Sequence, residues 1–104
     1  MLRIITLNLN GIRSAARKGF FDWLDRQEAD IVCLQELKAQ AGVLPRECLN
    51  PGGLFGYFHC AEKKGYSGVG LYSRRPPEQV IEGFGIPEFD AEGRYLEAVF
   101  GKLS

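Results

Sequence analysis

Two short apolar runs separated by one amphipathic stretch constrain the fold of this chain more than any other feature. The runs cover residues 2–9 and 30–35, and each has the length and the apolar content of a strand buried on both faces. Between them, Phe20 and Leu24 lie at helical spacing, which predicts one amphipathic helix of about four turns. Ser14 is of a residue type that often caps helices, and we expect the helix to begin there. Strand, helix and strand in this order predict a right-handed βαβ unit with parallel strands.

The second half of the sequence has a different pattern. After a loop rich in Gly and Pro over residues 40–56, with a helical turn expected near residues 45–49, short apolar segments alternate with Gly/Pro connections. This pattern favours antiparallel strands, and four are predicted, within residues 56–62, 67–74, 77–84 and 93–100. One helix cannot cover both faces of six strands, so we expect the front part of a larger layered α/β domain. Its uncovered apolar surface would favour self-association.

Composition excludes several classes of protein. Lys and Arg total 13 and Asp and Glu also total 13, so the chain lacks the bulk basic charge of a non-specific nucleic-acid coat protein. No apolar run approaches the roughly 20 residues that a membrane span requires. Three cysteines, Cys33, Cys48 and Cys60, occur without a Cys-x-x-Cys pair. This odd number predicts neither a disulfide framework nor a zinc site, and it favours a cytoplasmic location.

Polar side chains stand where the two predicted parallel strands end. Asn8 and Asn10 close the first strand, and Glu36 directly follows the second. Ligand sites of α/β sheets lie at the carboxyl ends of parallel strands, so Asn8 and Glu36 are expected to face one cleft. Oxygen ligands suit Mg²⁺, whereas a site without His or Cys is unsuited to zinc. These residues alone leave open a second interpretation, in which Glu36 caps a loop and the asparagines form turns.

Four segments together resemble one known family. They are LNLNGIRS, IVCLQELK, KKGYSGVGLYSR and FDAEGRYLEAVF, and in this order they are similar to the exonuclease III family of apurinic/apyrimidinic endonucleases. That family belongs to the endonuclease/exonuclease/phosphatase superfamily, and the resemblance covers nearly the whole chain. It implies a layered α/β sandwich with two mixed β-sheets flanked by helices, of which residues 1–104 would form an incomplete N-terminal portion.

The resemblance also implies a metal site. Glu36 would be the metal-binding carboxylate, and Asn8 beside it would orient the metal, the phosphate or a catalytic Asp. Asn10 stands where the family carries Asn or Asp, near the metal and the DNA. Leu37 departs from the family, many members of which have Thr there.

Four further residues would contact DNA according to the resemblance. Arg13 and Lys38 would meet phosphates or brace the acidic cluster, Tyr66 would reach the duplex beside the lesion, and Arg94 would point toward the site. Each also has an ordinary interpretation as a solvated, paired or turn residue. His59 lies in a predicted strand, and we expect it to be structural. Further cations near strand ends could follow a DNA backbone or could simply be solvated, namely Lys63, Lys64, Arg74 and Arg75.

The implied function is Mg²⁺-dependent hydrolysis of DNA phosphodiesters, with Mn²⁺ as a substitute. The substrates would be double-stranded DNA with abasic sites, cut on the 5′ side, or 3′ ends removed by a 3′-to-5′ exonuclease. The family's later elements, an active-site Tyr, an Asp-x-Asn segment and a closing Asp and Asp-His, do not occur in the 104 residues, so we expect this chain alone to be inactive. The alternatives are a non-catalytic α/β module that binds DNA or a partner, and another phosphodiesterase or phosphatase of the superfamily.

Overall fold

Six strands and three short α-helices are present in the part of the chain that the structure describes. The structure, a computed structural model, describes residues 2–39, 44, 46–62, 65–83 and 85–101. The strands are β1 (Ile4–Asn8), β2 (Ile31–Gln35), β3 (Phe55–His59), β4 (Val69–Ser73), β5 (Gln79–Glu82) and β6 (Leu96–Val99). The helices are α1 (Ile12–Arg17), α2 (Phe20–Asp25) and α3 (Pro87–Asp90), with short 3-10 helices at Arg46–Cys48 and Pro51–Gly53.

The strands form two sheets. The larger sheet has the order β1-β2-β4-β3, in which β1 and β2 are parallel and the other neighbours are antiparallel. β5 and β6 form a second, antiparallel sheet. The predicted α/β class and the parallel pairing of the first two strands are therefore confirmed. Each strand predicted from the second half is present and begins within three residues of its expected start.

The helical segment differs from the prediction of one helix. It consists of α1 and α2, which are separated at Lys18 and Gly19. Gly19 has φ +92°, a left-handed conformation that glycine adopts readily and that interrupts a right-handed helix. The helical segment also begins earlier than expected, at Ile12 directly after Gly11. Ser14 lies inside the first turn and has no capping role.

β1 is more exposed than its apolar sequence indicated. Its side chains alternate between exposed and half-buried, and Ile4 is 56% exposed. Among the described residues, β1 pairs with β2 alone, which leaves it at the edge of the sheet. The expectation of a strand buried on both faces is therefore wrong for β1, although it describes β2 better, where Val32 and Leu34 are fully buried.

The core lies between the larger sheet and the helical segments. Tyr72 of β4 is fully buried at its centre, and its ring makes edge-to-face contacts with Phe21 and Phe58. The Tyr72 hydroxyl donates a hydrogen bond to the carbonyl oxygen of Cys48, which ties the first 3-10 helix to the sheet. The remaining fully buried side chains include Ile12, Val32, Leu34 and Leu37. Two of these, Ile12 and Leu37, lie next to predicted site residues, so the core anchors the loops that carry the site.

Several large apolar side chains remain on the surface, namely Leu2, Ile4, Trp23, Leu49, Phe55 and Ile86. Self-association through such a surface stays a prediction. In the described part of the chain, no helix has the length and apolar character needed to cross a membrane.

Candidate functional site

Asn8 and Glu36 lie side by side at the ends of the two parallel strands. The register pairs Asn8 with Gln35, and Glu36 follows directly. The amide nitrogen Nδ2 of Asn8 donates a hydrogen bond to Oε2 of Glu36. The structure thus brings together the two side chains on which the sequence-based hypothesis depends.

The orientation of the Asn8 amide is fixed on both sides. Its oxygen Oδ1 accepts a hydrogen bond of 2.9 Å from the backbone nitrogen of Asn10, while its nitrogen faces Glu36. An amide nitrogen is a donor and cannot coordinate a cation. This arrangement favours Asn8 as the residue that orients the Glu36 carboxylate, which leaves Glu36 to present its oxygens to a ligand.

Backbone hydrogen bonds continue past the strands and hold the site loops together. The loop after β1 pairs with the loop after β2 through Gly11 N to Glu36 O at 2.8 Å and Ile12 N to Leu37 O at 2.9 Å. On the other side, Lys38 N donates to Ser67 O at 2.7 Å. Three chain segments therefore lie next to one another, with the Glu36 loop in the middle.

Left-handed residues concentrate in the same place. Five non-glycine residues in the described part of the chain have positive φ, and four of them lie in these loops: Asn10, Glu36, Lys38 and Ser67. Such conformations cost a non-glycine residue about 1–3 kcal/mol and are typical of functional sites. They direct the side chains of consecutive loop residues to positions that an extended strand would not provide.

Lys38 and Glu36 place opposite charges at the site. Lys38 Nζ lies 2.5 Å from Asn10 Oδ1 and 3.6 Å from Glu36 Oε1. Both side chains are about two-fifths exposed, so water screens this ion pair, which contributes little to stability. The hydrogen bond from Asn8, followed by the positive charges of Lys38 and Arg94, holds the pKa of Glu36 below its usual value. Glu36 is therefore an anion at neutral pH.

A basic cavity of about 360 Å³ adjoins Lys38. Arg13, Arg17 and Lys38 line it together with Gly11 and Ser14. Arg13 and Lys38 were expected to contact DNA, and the structure brings them to one cavity. Sequence reasoning missed Arg17, although its spacing of four residues from Arg13 places both on one side of α1.

Tyr66, in the connection between β3 and β4, meets Arg94, which precedes β6 of the other sheet. The guanidinium of Arg94 lies 5.4 Å from the centroid of the Tyr66 ring, and its Nη2 donates to the Tyr66 hydroxyl at 2.8 Å. Arg94 Nε also donates to Glu92 Oε1 at 2.6 Å. Sequence reasoning missed Glu92, which stands in the EGR segment two residues before Arg94.

The remaining candidates lie elsewhere. His59 Nδ1 is 2.6 Å from the carbonyl oxygen of Tyr95, a link between the two sheets that fits the structural role expected for it. Arg74 and Arg75 follow β4 at the end of the sheet where β2 begins, opposite to Glu36, and Arg74 donates to the Ala29 carbonyl oxygen. Lys63 and Lys64 fall outside the described residues, as does part of the expected turn KKGYSG.

Few of the described side chains near Glu36 could serve as further metal ligands. Within the part of the chain that the structure describes, no three His, Cys, Asp or Glu side chains gather in a group suited to a metal ion. The described side chains that contact Glu36 are the Asn8 amide and the Lys38 ammonium group.

Residues 5–103 match the model of the Endonuclease/Exonuclease/phosphatase family. The chain belongs to this family. It is 42% identical over 100 residues to an exodeoxyribonuclease from Bacillus subtilis, covering 95% of this chain and 38% of that protein. This family assignment confirms the resemblance noted from the sequence.

Solved structures agree with the fold. An AP endonuclease from Archaeoglobus fulgidus is 34% identical, superposes with a TM-score of 0.80, and is matched over 94% of this chain and 37% of its own. A 3′ phosphatase from Neisseria, bound to a product DNA hairpin, is 28% identical with a TM-score of 0.79, over 94% of this chain and 37% of its own. The chain thus spans a little over a third of the length of these relatives.

Proposed function

We propose that this chain supplies the first part of the active site of a metal-dependent DNA-repair nuclease. The reaction would be hydrolysis of a phosphodiester, 5′ to an abasic site or at a 3′ end. The observation that carries the proposal is the contact between Asn8 and Glu36 at adjacent ends of parallel strands. The relatives support it, since their names describe an exodeoxyribonuclease, an AP endonuclease and a 3′ phosphatase with DNA.

The residues present fit a divalent cation with oxygen ligands. Nucleases of this family generally depend on a divalent metal. Mg²⁺ is commonly held by one or two carboxylates together with water and substrate phosphate, and a single ionised Glu36 suits that demand. Glu36 would hold the metal and Asn8 would keep the carboxylate oriented. When bound, Mg²⁺ or its substitute Mn²⁺ would supply Lewis-acid stabilisation of the charge on the phosphoryl group.

The cationic residues would bind the DNA backbone. Arg13, Arg17 and Lys38 surround one cavity, and several cations around a cavity suit phosphate, which Arg binds through paired donors. Tyr66 and Arg94 would also meet the duplex. With overall charge balanced, binding would depend on these local groups, and it should weaken steeply with salt.

Metal binding to this chain can be tested directly. Mn²⁺ broadens NMR signals of nearby nuclei, so titration of the labelled chain should broaden the resonances of Asn8, Glu36 and Lys38 first. Glu36→Gln should abolish the selective broadening. Glu28→Gln is a matched control, because Glu28 is an exposed glutamate with a similar φ of +51° outside the site. Broadening that survives Glu36→Gln, or that is lost equally in Glu28→Gln, would refute the assignment of Glu36.

The chemistry of the whole protein needs a separate assay. We propose that residues 1–104 form the N-terminal portion of the family domain and do not incise DNA alone, because the sequence lacks the family's later groups. A longer protein that contains this chain should cut a duplex with one abasic analogue, and Glu36→Gln should remove that activity. Release of inorganic phosphate from a 3′-phosphorylated duplex, without cleavage of the strand, would favour a phosphatase. Binding of DNA by the longer protein without either reaction would favour the non-catalytic module. A cytoplasmic location remains part of the proposal.

A further inference from the structure

Glu92, Arg94 and Tyr66 form a closed cluster of three hydrogen bonds. Arg94 Nε donates to Glu92 Oε1 at 2.6 Å, Arg94 Nη2 donates to the Tyr66 hydroxyl at 2.8 Å, and that hydroxyl lies 3.4 Å from the same Glu92 oxygen. Tyr66 comes from the connection between β3 and β4, whereas Glu92 and Arg94 precede β6 of the other sheet. The cluster therefore fixes one guanidinium with respect to both sheets.

The backbone that carries Glu92 is held without the help of its side chain. Glu62 N donates to Ala91 O at 2.8 Å, and the His59 ring lies 2.6 Å from the carbonyl oxygen of Tyr95. Gly93, between these two contacts, lies against the backbone after β3. Loss of the Glu92 carboxylate should therefore leave the turn in place and change only what holds Arg94.

Arg94 needs such a restraint because its side chain is 52% exposed. A free arginine side chain occupies many rotamers, and fixing it on binding costs conformational entropy. We propose that Glu92 is a positioning residue that holds the Arg94 guanidinium on the Tyr66 ring, ready to contact a DNA phosphate. This inference rests on the proposed function, because it assigns to Glu92 a part in DNA binding.

The charge of Glu92 makes the proposal easy to test. A negative charge near DNA repels the phosphates, so removing it should strengthen binding if Glu92 acts only through its charge. If Glu92 positions Arg94, the same change should weaken binding. The two explanations predict opposite signs for one substitution.

The experiment measures binding of a short fluorescent duplex with one tetrahydrofuran abasic analogue to the full 104-residue chain. Glu92→Gln should weaken binding about three- to tenfold and lower the salt slope by about 1, as expected for one lost phosphate contact. Glu92→Asp keeps the charge but shortens the side chain, and it should also weaken binding. Glu88→Gln removes an equal charge from the exposed surface of α3 and should change binding less than about twofold.

A double-mutant cycle completes the test. In an Arg94→Gln background, Glu92→Gln should no longer weaken binding, because there is no guanidinium left to position. In the wild-type background, Glu92→Gln should move the NMR signal of the Arg94 Nε–H group. Tighter binding of Glu92→Gln, or unchanged binding of both Glu92 variants, would overturn the inference while leaving the proposed function intact. A wild-type chain that binds no duplex would instead refute DNA binding by this surface, and the inference with it.

Discussion

Replacing Gly93 with alanine tests how the second sheet is fixed against the first. Gly93 has φ +61°, and a Cβ atom placed there would lie 2.4 Å from the backbone nitrogen of Ala61 and 2.6 Å from the carbonyl carbon of Cys60. These atoms belong to the backbone that follows β3, so no flexible side chain can rotate away to make room. We expect Gly93→Ala to destabilise the fold and to displace the neighbouring Arg94.

The expected magnitude has three contributions. A left-handed conformation costs alanine about 1–2 kcal/mol, and the lower entropy of the unfolded alanine chain offsets about 0.4–1 kcal/mol of this. Together they leave about 1 kcal/mol, and steric overlap with a packed backbone adds about 1–3 kcal/mol. The free energy of unfolding should therefore fall by about 2–4 kcal/mol for Gly93→Ala.

Gly65 provides the matched control. It has a similar φ of +68°, but nothing lies within 4 Å of the position its Cβ would take. Gly65→Ala should thus cost only the conformational part, about 1 kcal/mol. Urea unfolding of both variants, followed by the fluorescence of Trp23 and by circular dichroism, gives the two free energies. Equal losses in the two variants would show that the close approach at Gly93 has no energetic effect.

Two further predictions concern hydrogen bonds. Asn8→Ala should raise the pKa of Glu36, measured by carboxyl NMR titration, because the Asn8 hydrogen bond is the largest cause of the low value. Since the folded pKa is below the unfolded one, the stabilisation from the Glu36 carboxylate is present above the unfolded pKa and is lost as pH falls through the folded pKa. In Asn8→Ala this stabilisation should be smaller, and its loss should be complete at a higher pH, because the folded pKa lies closer to the unfolded one. Tyr72→Phe removes the buried donor to the Cys48 carbonyl oxygen and should lower the free energy of unfolding by about 1–3 kcal/mol. The same change at half-buried Tyr57 should cost less than about 0.5 kcal/mol, and equal costs at the two tyrosines would contradict the role given to the Tyr72 hydroxyl.

The sequence was sufficient to predict that Asn8 and Glu36 lie side by side. Asn8 and Glu36 end two apolar runs joined by a helical segment, and the parallel pairing that this order requires places them together. The same geometry brings Arg13 and Lys38 to one cavity, since both residues come shortly after these strand ends.

Other features depend on contacts that a linear pattern does not specify. Gly19 fits a helix at modest cost, and only its φ of +92° shows that the chain turns there. β1 has the composition of a buried strand, but the exposure of Ile4 depends on how many neighbours the strand has. Glu92 is an ordinary surface acid in the sequence, and its contacts with Tyr66 and Arg94 are visible only once the fold brings the connection between β3 and β4 beside it.

The hydrogen bonds between the loops at the strand ends affect how tightly a substrate would bind. Leu9, Gly11 and Ile12 donate backbone hydrogen bonds to the chain around Glu36, which in turn pairs with the segment at Ser67. A surface assembled in this way before any ligand arrives loses little freedom upon complex formation, so more of each contact's energy remains as affinity. Inserting even one residue between Leu9 and Ile12 would shift this register and separate the amide of Asn8 from its acidic neighbour.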